Sequence, residues 1–434
     1  MTEQAVSPGG TDPWSTPYWW QAAPRQRFDH APLPDRADVV IVGAGFTGTS
    51  AALVLARAGR NVVLLDSGAP GQGASSRNGG QVGSGNQKFK VAALIAQRGE
   101  AKATALLREG TAMLGHIGDL ITREGIACDY TICGRFRGCV RPEHYDAMAR
   151  DMEDLRRVAG VTSYMVPKAE QRREIGSDYY HGGSVLPADA SLHPGKYHGG
   201  LLDLARAAGA SVHGFAAATA ITRDGPGFVV TTARGRIATR NVIVATNGYT
   251  GDLVPHLRRR MVTVHSAIIA SEPLAPGVID RLMPKRRVYG CTARVFHYFR
   301  PSPDGTRILW GGRVGGARRG DAQGYRHLAA EMARVFPELA GAPIAGGWSG
   351  QIGYTFDDMP HLGVVDGIHY ALGYCGTGVS RATWFGDKIA KKVLGDPDGA
   401  SAFDDLIFPS HPFWFAARSA VPWVEAWYRL RDSL

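Results

Sequence analysis

The chain has 434 residues, of which 44% are hydrophobic, 9% aromatic and 20% charged, a composition typical of a globular protein long enough for two interwoven domains. Its formal net charge is +10, from 49 basic and 39 acidic residues. Because the basic residues are spread along the chain and accompany no nucleic-acid-binding motif, we expect no nucleic-acid partner. No stretch of eighteen uninterrupted apolar residues occurs, so we expect no membrane span.

The cysteines and the N-terminus indicate the compartment. The five cysteines are odd in number, form no CxxC pair and have no histidine at zinc-ligand spacing, so we expect no metal site and a reduced environment. Residues 1–10 are polar and lack the apolar region of a secretory signal peptide. These features favour a cytoplasmic protein.

The first elements in chain order form a βαβ unit. After an extended N-terminal arm over residues 1–35, the apolar run 38–42 predicts a buried parallel strand. Residues 46–58 then predict a helix and 61–66 a second buried strand. The unit occupies about 30 residues, the size expected of this motif.

A glycine motif joins the first strand to the helix. In Gly43-Ala44-Gly45-Phe46-Thr47-Gly48, Gly43 permits the tight turn, Gly45 lets the backbone approach a pyrophosphate, and Gly48 lets the helix pack on the strand. The helix N-terminus adds free N–H groups and a partial positive charge. Asp66 ends the second strand, where its carboxylate can bind ribose hydroxyls. This combination predicts a dinucleotide site but does not decide between NAD and FAD.

Residues 71–81 bear on that choice. They read Gly-Gln-Gly-Ala-Ser-Ser-Arg-Asn-Gly-Gly-Gln, a stretch of small and hydrogen-bonding residues. Such a segment can run beside a bulky flat ring while its N–H and hydroxyl groups face phosphate. The alternative is an ordinary flexible loop.

Later elements mix βα units with an antiparallel block around residues 260–312, which suggests a nucleotide domain interrupted by a second sheet. Residues 91–124 predict helix, with breaks at Gly110, Gly115 and Gly118. Near the C-terminus, a strand at 368–372 is followed by a glycine loop and a helix.

Several further motifs follow in a fixed order. They are Leu192-His193-Pro194, Ala245-Thr246-Asn247-Gly248-Tyr249, Tyr298-Phe299-Arg300, Trp348-Ser349-Gly350, Asp358-Met359-Pro360 and Gly373-Tyr374-Cys375-Gly376-Thr377-Gly378. With these motifs the chain, from about residue 15 to the end, resembles the D-amino-acid oxidase superfamily of FAD enzymes. The resemblance is strongest to the branch of gamma-glutamylputrescine oxidases, with glycine and sarcosine oxidases as more distant members.

The resemblance implies an α/β fold, with an FAD-binding Rossmann-like domain of the glutathione-reductase type and an antiparallel-sheet substrate domain. The predicted segments are the arm at 1–35, an FAD-binding domain of 36–125, 141–255 and 345–400, a substrate domain of 126–140 and 256–344, and a C-terminal extension of 401–434.

It also implies FAD contacts along the whole chain. Those for the ADP half are Gly43, Gly45, Gly48, Asp66 and the backbone of Ala217 or Ala218. Those along the pyrophosphate and the isoalloxazine are Ala74, Ser75, Arg77, Asn78, Gly79 and Gly80, with Ala245 as a further contact. The loop that would cap the flavin ring is Gly376, Thr377, Gly378 and Val379. N–H groups of this loop and of the following helix would stabilise negative charge on the ring.

Departures from the family pattern narrow the range of substrates that we expect. Members that act on small α-amino acids carry Arg or Lys in the capping loop, whereas this chain has Thr377-Gly378-Val379-Ser380, with Arg381 next. Sarcosine-type members carry an Arg soon after the flavin loop, where this chain has Gln81 or Val82. We therefore expect a longer amine, or one whose carboxylate lies far from the reacting nitrogen.

Covalent attachment of the flavin is not expected. Sarcosine-type members tether the ring through a cysteine at the position of Ile352. We predict non-covalent FAD, with Cys375 as the nearby thiol that leaves the question open.

Three residues are candidates for a catalytic role: Tyr298, Thr377 and Gln81. In residues 294–300, strand alternation puts Arg294, Phe296, Tyr298 and Arg300 on one face and Val295, His297 and Phe299 on the other. One face is expected to roof the flavin, and Tyr298 is the candidate there.

The resemblance therefore implies oxidation of the C–N bond of a small amine or amino-acid-like substrate to an imine that hydrolyses, with oxygen as the expected electron acceptor. Two alternatives stay open. One is an amine dehydrogenase that passes electrons to a membrane quinone, with the aromatic segment 413–430 at the interface, although packing of this segment against the body is the preferred interpretation. The other is a non-catalytic, FAD-bound structural or tRNA-associated protein.

Overall fold

The computed structural model describes residues 15–24, 31–313 and 322–433. Its helices are α1 (Trp19–Ala22), α2 (Phe46–Arg57), α3 (Val91–Arg98), α4 (Glu100–Glu124), α5 (Glu143–Ala159), α6 (Pro194–Ala207), α7 (Pro255–Arg258), α8 (Val278–Leu282), α9 (Ala322–Val335), α10 (Gly378–Leu394) and α11 (Trp414–Ser433). The first nine strands are β1 (Arg36–Val42), β2 (Val62–Leu65), β3 (Gln81–Val82), β4 (Arg135–Gly138), β5 (Tyr164–Val166), β6 (Gly183–Leu186), β7 (Ala190–Ser191), β8 (Ser211–His213) and β9 (Ala218–Asp224). The other nine are β10 (Gly227–Thr232), β11 (Gly235–Val244), β12 (Val262–Ser271), β13 (Val288–Cys291), β14 (Tyr298–Pro301), β15 (Ile308–Arg313), β16 (Ile344–Tyr354), β17 (His361–Val365) and β18 (Ile368–Leu372).

The first sheet contains the predicted βαβ unit. Strands β8, β2, β1, β11 and β18 lie side by side and run parallel, with β17 antiparallel at the edge. The first half of β11 pairs antiparallel with β10, which pairs with β9. Val39, Val40 and Ile41 of β1 are fully buried, as expected of a central strand with helices on both faces.

The second sheet runs in the order β16-β12-β15-β14-β13-β4-β6-β5. Its pairs are antiparallel except for the parallel pair of β13 with β4. Strands β5 and β6 come from segment 141–255, and β16 after its first residue, Ile344, comes from segment 345–400; the sequence placed both segments in the FAD-binding domain. Strand partners lie far apart in sequence, so local patterns could not assign these strands, and the domain boundaries stay a prediction.

The predicted N-terminal arm lies partly outside the described residues. In its described part, Trp19 is fully buried on the body, as expected, but belongs to a one-turn helix rather than an extended segment. The Trp19 indole Nε1 donates to the Asn78 carbonyl (2.8 Å), so the arm packs directly on the segment 71–81.

The helical region 91–124 is interrupted at one glycine that the sequence did not single out. Helix α3 ends before Gly99, which has φ +80°, and α4 runs unbroken through Gly110, Gly115 and Gly118. The breaks predicted at those three positions are therefore wrong. A Cβ at Gly110 would lie 2.1 Å from Asn86 Oδ1, so this glycine serves close packing instead.

A stack of rings forms the core of the second sheet. The ring centroids of Phe299 and Trp310 lie 4.4 Å apart, and those of His297 and Trp310 lie 4.9 Å apart. The Nε2 of His297 shares a 2.6 Å hydrogen bond with the Tyr180 hydroxyl. Burial lowers the pKa of His297 to about 4, so the imidazole is neutral in the folded protein.

This buried histidine predicts a pH dependence of stability. An unfolded histidine has a pKa near about 6.5, so the unfolded state binds more protons between that pH and 4, and stability falls as the pH drops through this window. From pH 7 to pH 5, we expect the wild-type free energy of unfolding to fall by up to about 2 kcal/mol more than that of His297→Phe. Urea unfolding at both pH values measures this, and equal losses in the two proteins would contradict it.

Candidate active site

A cavity of about 1490 Å³ is lined by residues of both sheets. Asp66, Ala217 and Ala218 of the first sheet line one part of it, and strands β12 and β14 of the second sheet line another. Pockets for drug-sized ligands measure about 300–1,000 Å³, so this cavity has room for a dinucleotide together with a small substrate.

The glycine turn has the geometry that its sequence predicts. Gly43 has φ +105°, and a Cβ there would lie 2.8 Å from the Ala245 carbonyl oxygen. A Cβ at Gly45 would lie 2.8 Å from Ser75 Oγ, and one at Gly48 would lie 1.9 Å from the Gly43 carbonyl oxygen. Gly43 and Gly45 line the cavity, whereas Gly48 brings α2 against the turn. The turn therefore leaves no room for side chains where a pyrophosphate would lie.

Asp66 is fixed at the end of β2 by two backbone donors. Its Oδ2 accepts from the Ala44 N–H (2.9 Å) and its Oδ1 accepts from the Gly68 N–H (3.0 Å). Such charge-assisted bonds hold both the glycine turn and the carboxylate in place. The carboxylate lines the cavity together with Ala217 and Ala218, and there it could accept hydrogen bonds from the ribose hydroxyls of an adenosine.

Residues 71–81 form an ordered turn rather than a flexible loop. The Ser75 Oγ accepts from the Phe46 N–H (2.9 Å) at the N-terminus of α2. The Asn78 amide donates to the carbonyls of Ala74 (3.1 Å) and Ser75 (3.0 Å) and accepts from the Gly80 N–H (2.8 Å). This network holds Ala74, Ser75 and Asn78 along the cavity wall.

Arg77, Gly79 and Gly80 have different surroundings. Arg77 lines the cavity, but its guanidinium is buried and donates to the carbonyls of Gln72 (2.8 Å) and Ser349 (3.4 Å). Gly79 also lines the cavity. Gly80 is not among the lining residues, and its φ of +64° with the Leu192 carbonyl close by makes it a packing position.

The N-terminus of α10 faces the same cavity. Gly376 has φ +85°, and Gly376, Thr377, Gly378 and Val379 all line the wall. The Thr377 hydroxyl donates to the Tyr374 carbonyl (2.9 Å), so this side chain shapes the turn. The first N–H groups of a helix lack intrahelical partners, which makes this end suited to negative charge.

The other two catalytic candidates, Tyr298 and Gln81, differ in the contacts of their side chains. Tyr298 packs its ring so closely that a Cβ at Gly79 would lie 2.9 Å from it, and its hydroxyl lies 3.3 Å from Ser266 Oγ. Burial raises the pKa of Tyr298, so its phenol stays protonated. Gln81 also lines the cavity, but its amide donates to the Phe299 carbonyl (3.1 Å) and accepts from Arg135 Nη1 (2.6 Å). The Gln81 side chain therefore ties elements together.

Two contributors to the cavity were missed from the sequence. The Asn247 side-chain carbonyl accepts a hydrogen bond from the Gly373 N–H (3.0 Å) and so holds the segment that leads into the capping loop. The motif at 245–249, which contains Asn247, was the feature of the sequence that could have identified it. Helix α11 covers part of the cavity with Val421, Glu425 and Tyr428, although residues 413–430 suggested only packing or an interface. No helix within the described ranges combines the length and the hydropathy that a membrane crossing requires.

The comparison with protein families shows which family the chain belongs to. The model of the DAO family, described as FAD dependent oxidoreductase, matches residues 38–392. The chain belongs to this FAD dependent oxidoreductase family. The match confirms the resemblance drawn from the ordered motifs, FAD as the cofactor and enzymatic function.

Relatives of this FAD dependent oxidoreductase support the same conclusion. Gamma-glutamylputrescine oxidoreductase of Escherichia coli (strain K12) is 33% identical over 404 residues, which cover 92% of this chain and 93% of that protein. The crystal structure of glycine oxidase from Geobacillus kaustophilus has a TM-score of 0.73 at 22% identity, over 87% of this chain and 99% of that one. The crystal structure of L-proline dehydrogenase from P. horikoshii has a TM-score of 0.71 at 18% identity, over 86% of this chain and 96% of that one. These structures confirm the predicted fold class.

The residues of this FAD dependent oxidoreductase fit the cofactor. One cavity is lined by three features that suit FAD. They are the glycine turn, which has no room for Cβ atoms, the Asp66 carboxylate at the end of β2, and the N-terminus of α10. Seventeen of the nineteen residues predicted for the cofactor or the catalysis line the cavity; the other two are Gly48 and Gly80. Their individual roles toward FAD stay predictions.

Proposed function

We propose that this enzyme uses FAD to oxidise the C–N bond of a small amine or amino-acid-like substrate to an imine, which water hydrolyses to a carbonyl compound and an amine or ammonia. One observation carries the proposal. The cavity whose wall fits FAD is also lined by Tyr298, Tyr354 and α11, which leaves space for a substrate beside the cofactor. The name of the 33% identical relative, gamma-glutamylputrescine oxidoreductase, supports an amine substrate.

Bound FAD would supply the redox chemistry by accepting hydride from the substrate carbon. The glycine turn and Asp66 would hold the ADP half, and the N-terminus of α10 would stabilise negative charge on the ring. Tyr298 and Gly79 would bound the space in which the substrate is oriented. Burial beside Tyr298 would disfavour an ammonium group at the reacting carbon and so favour the uncharged, oxidisable amine.

The surroundings of Arg381 support a substrate without a carboxylate next to the reacting nitrogen. Arg381 follows the capping loop, but it is 1% exposed and does not line the cavity. Its guanidinium packs behind Gly85, where a Cβ would lie 2.6 Å from its Nη2. Gln81, at the other position where relatives carry Arg, is held by protein groups. We therefore infer that glycine and sarcosine are not the substrates.

Anaerobic titration of the purified yellow protein with a panel of amines tests the proposal. We expect at least one primary or secondary amine to bleach the flavin absorbance, whereas glycine and sarcosine leave it unchanged. Bleaching by glycine or sarcosine would overturn the substrate inference. A flavin that every amine leaves oxidised would overturn the proposed reaction and favour the non-catalytic alternative, which membership of an oxidoreductase family argues against.

Oxygen is the proposed electron acceptor, and a membrane quinone is the second candidate. The outer face of α11 favours the quinone, because Phe415, Trp423 and Trp427 are 64%, 80% and 55% exposed there. Admitting air after anaerobic bleaching separates the two: rapid return of the yellow colour with peroxide formation supports oxygen, and slow return supports the quinone.

We also propose that FAD is bound without a covalent link. Cys375 lines the cavity, but its thiol donates to the Gly373 carbonyl (3.1 Å) and burial raises its pKa, which disfavours a nucleophilic thiolate. Acid precipitation is expected to release all the FAD from the wild type and from Cys375→Ser alike. Flavin that stays with the wild-type pellet but not with the variant would contradict this.

A further inference from the structure

Helix α11 brings one charged side chain into the cavity. Val421, Glu425 and Tyr428 recur at helical spacing on the face of α11 that lines the wall. Glu425 is only 5% exposed, although most of its helix neighbours are exposed. The helix lies outside residues 38–392, which the family model matches.

The two oxygens of the Glu425 carboxylate differ in their partners. Oε1 lies 3.4 Å from Arg313 Nη1, and Arg313 Nη2 donates to the Tyr354 hydroxyl (2.7 Å). Oε2 is buried and accepts no hydrogen bond from any of the described residues. A buried carboxylate oxygen without a donor is costly, and native proteins rarely leave one unsatisfied. A donor that enters through the cavity is therefore expected at Oε2.

The surroundings favour an ammonium group as that donor. A carboxylate ligand would be repelled by Glu425, whereas an ammonium group offers three N–H donors and an opposite charge. The Arg313 guanidinium already lies over the rings of Phe296 (5.9 Å to the centroid) and Tyr354 (5.0 Å). The ring of Tyr428 lines the same cavity, and aromatic faces attract cations.

The ammonium group cannot be the amine that reacts, because that amine must be uncharged to lose hydride. A chain of contacts sets the separation between the two groups. A Cβ at Gly376 of the capping loop would lie 3.5 Å from the Tyr354 hydroxyl, which bonds Arg313, which pairs with Glu425. The side chains of Tyr354 and Arg313 thus separate Glu425 from the loop, so a substrate that reaches both places needs several atoms between its two amino groups.

We propose that Glu425 is a specificity-determining residue that binds a second ammonium group of the substrate, a few carbons from the amine that is oxidised. This inference rests on the proposed function and names its substrate class: compounds with two amino groups rather than simple monoamines.

The experiment compares diamines with monoamines of matching length. The probes are 1,4-diaminobutane with n-pentylamine and 1,6-diaminohexane with n-heptylamine. For each pair, kcat/KM is measured with the wild type, Glu425→Gln, Glu425→Asp and the control Glu338→Gln. Glu338 is suited as the control because it pairs with Arg281 (2.9 Å) at the surface and does not line the cavity.

We expect the wild type to prefer at least one diamine over its monoamine by about tenfold or more, the range of a hydrogen bond to a charged group. Glu425→Gln should raise KM for the diamine by about tenfold or more, well beyond its effect on KM for the matched monoamine, and so remove the preference, while FAD content stays as in the wild type. Glu425→Asp, which keeps the charge, should retain part of the preference, and Glu338→Gln should retain all of it.

Two results overturn the inference while the proposed function stands: a wild type that oxidises both series equally, or a preference that survives in Glu425→Gln. Either result would assign Oε2 to a bound water. If no amine of either series or of the wider panel bleaches the flavin, the proposed function fails and the inference falls with it.

Discussion

Gly45→Val is expected to yield a folded protein that has lost its yellow colour. A Cβ at this position would lie 2.8 Å from Ser75 Oγ, in the turn whose backbone must approach the pyrophosphate, and valine adds two methyl groups in the same space. Displacing Ser75 would also break its bond to the Phe46 N–H at the start of α2. We expect FAD affinity to fall by about a hundredfold or more, equivalent to about 2.7 kcal/mol.

Flavin absorbance per protein after purification, and titration of the apoprotein with FAD, measure this effect. Gly115→Ala is the matched control, because a Cβ at this mid-helix position would meet no described atom within 4 Å apart from its chain neighbours and the backbone of its own helix. It should keep full flavin content and gain slightly in helix stability. A Gly45→Val protein with wild-type FAD affinity would show that the turn does not hold the cofactor.

Trp310→Ala is expected to cause the largest loss of stability. Trp310 is fully buried, stacks on Phe299 and His297, and meets Phe336 edge-on with ring centroids 6.3 Å apart. Truncation leaves a cavity in the core of the second sheet, and we expect the free energy of unfolding to fall by about 3–5 kcal/mol. Urea unfolding with unchanged solution conditions measures the loss.

Trp310→Phe tests whether the loss of stability in Trp310→Ala comes from lost ring packing. It keeps a ring in the stack and removes an indole N–H that has no hydrogen-bond partner among the described residues, so its loss should stay under about 2 kcal/mol. An alanine variant that loses no more than the phenylalanine variant would show that the stack is not a main stabilising element of the sheet.

Local patterns predicted the elements nearest the cofactor site. The apolar run 38–42, the glycine turn and Asp66 each specify geometry within a few residues, and β1, α2 and β2 follow them. Alternation also separated Tyr298, which lines the cavity, from Phe299, which enters the ring stack. Alternation placed Val295 on the face opposite Tyr298, and this prediction was wrong, since both residues line the cavity. Val295 precedes β14, so the alternation of a strand does not apply to it.

Contacts between distant residues were beyond the same reasoning. Arg77 donates to Ser349, 272 residues away, and Gln81 to Phe299, 218 residues away, so neither side chain could be assigned from its neighbours in sequence. Helix α11 has amphipathic features that fit either a surface or a packed helix, and only its position over the cavity shows that Glu425 enters the site. Such choices depend on tertiary packing rather than on local propensity.

A crystal structure of the purified yellow protein is the most direct test of where the cofactor binds. We predict FAD in the cavity, with its ribose hydroxyls on the Asp66 carboxylate and its flavin ring against the loop from Gly376 to Val379. FAD bound elsewhere, or a purified protein that takes up no FAD and leaves this cavity unfilled, would contradict the proposed active site.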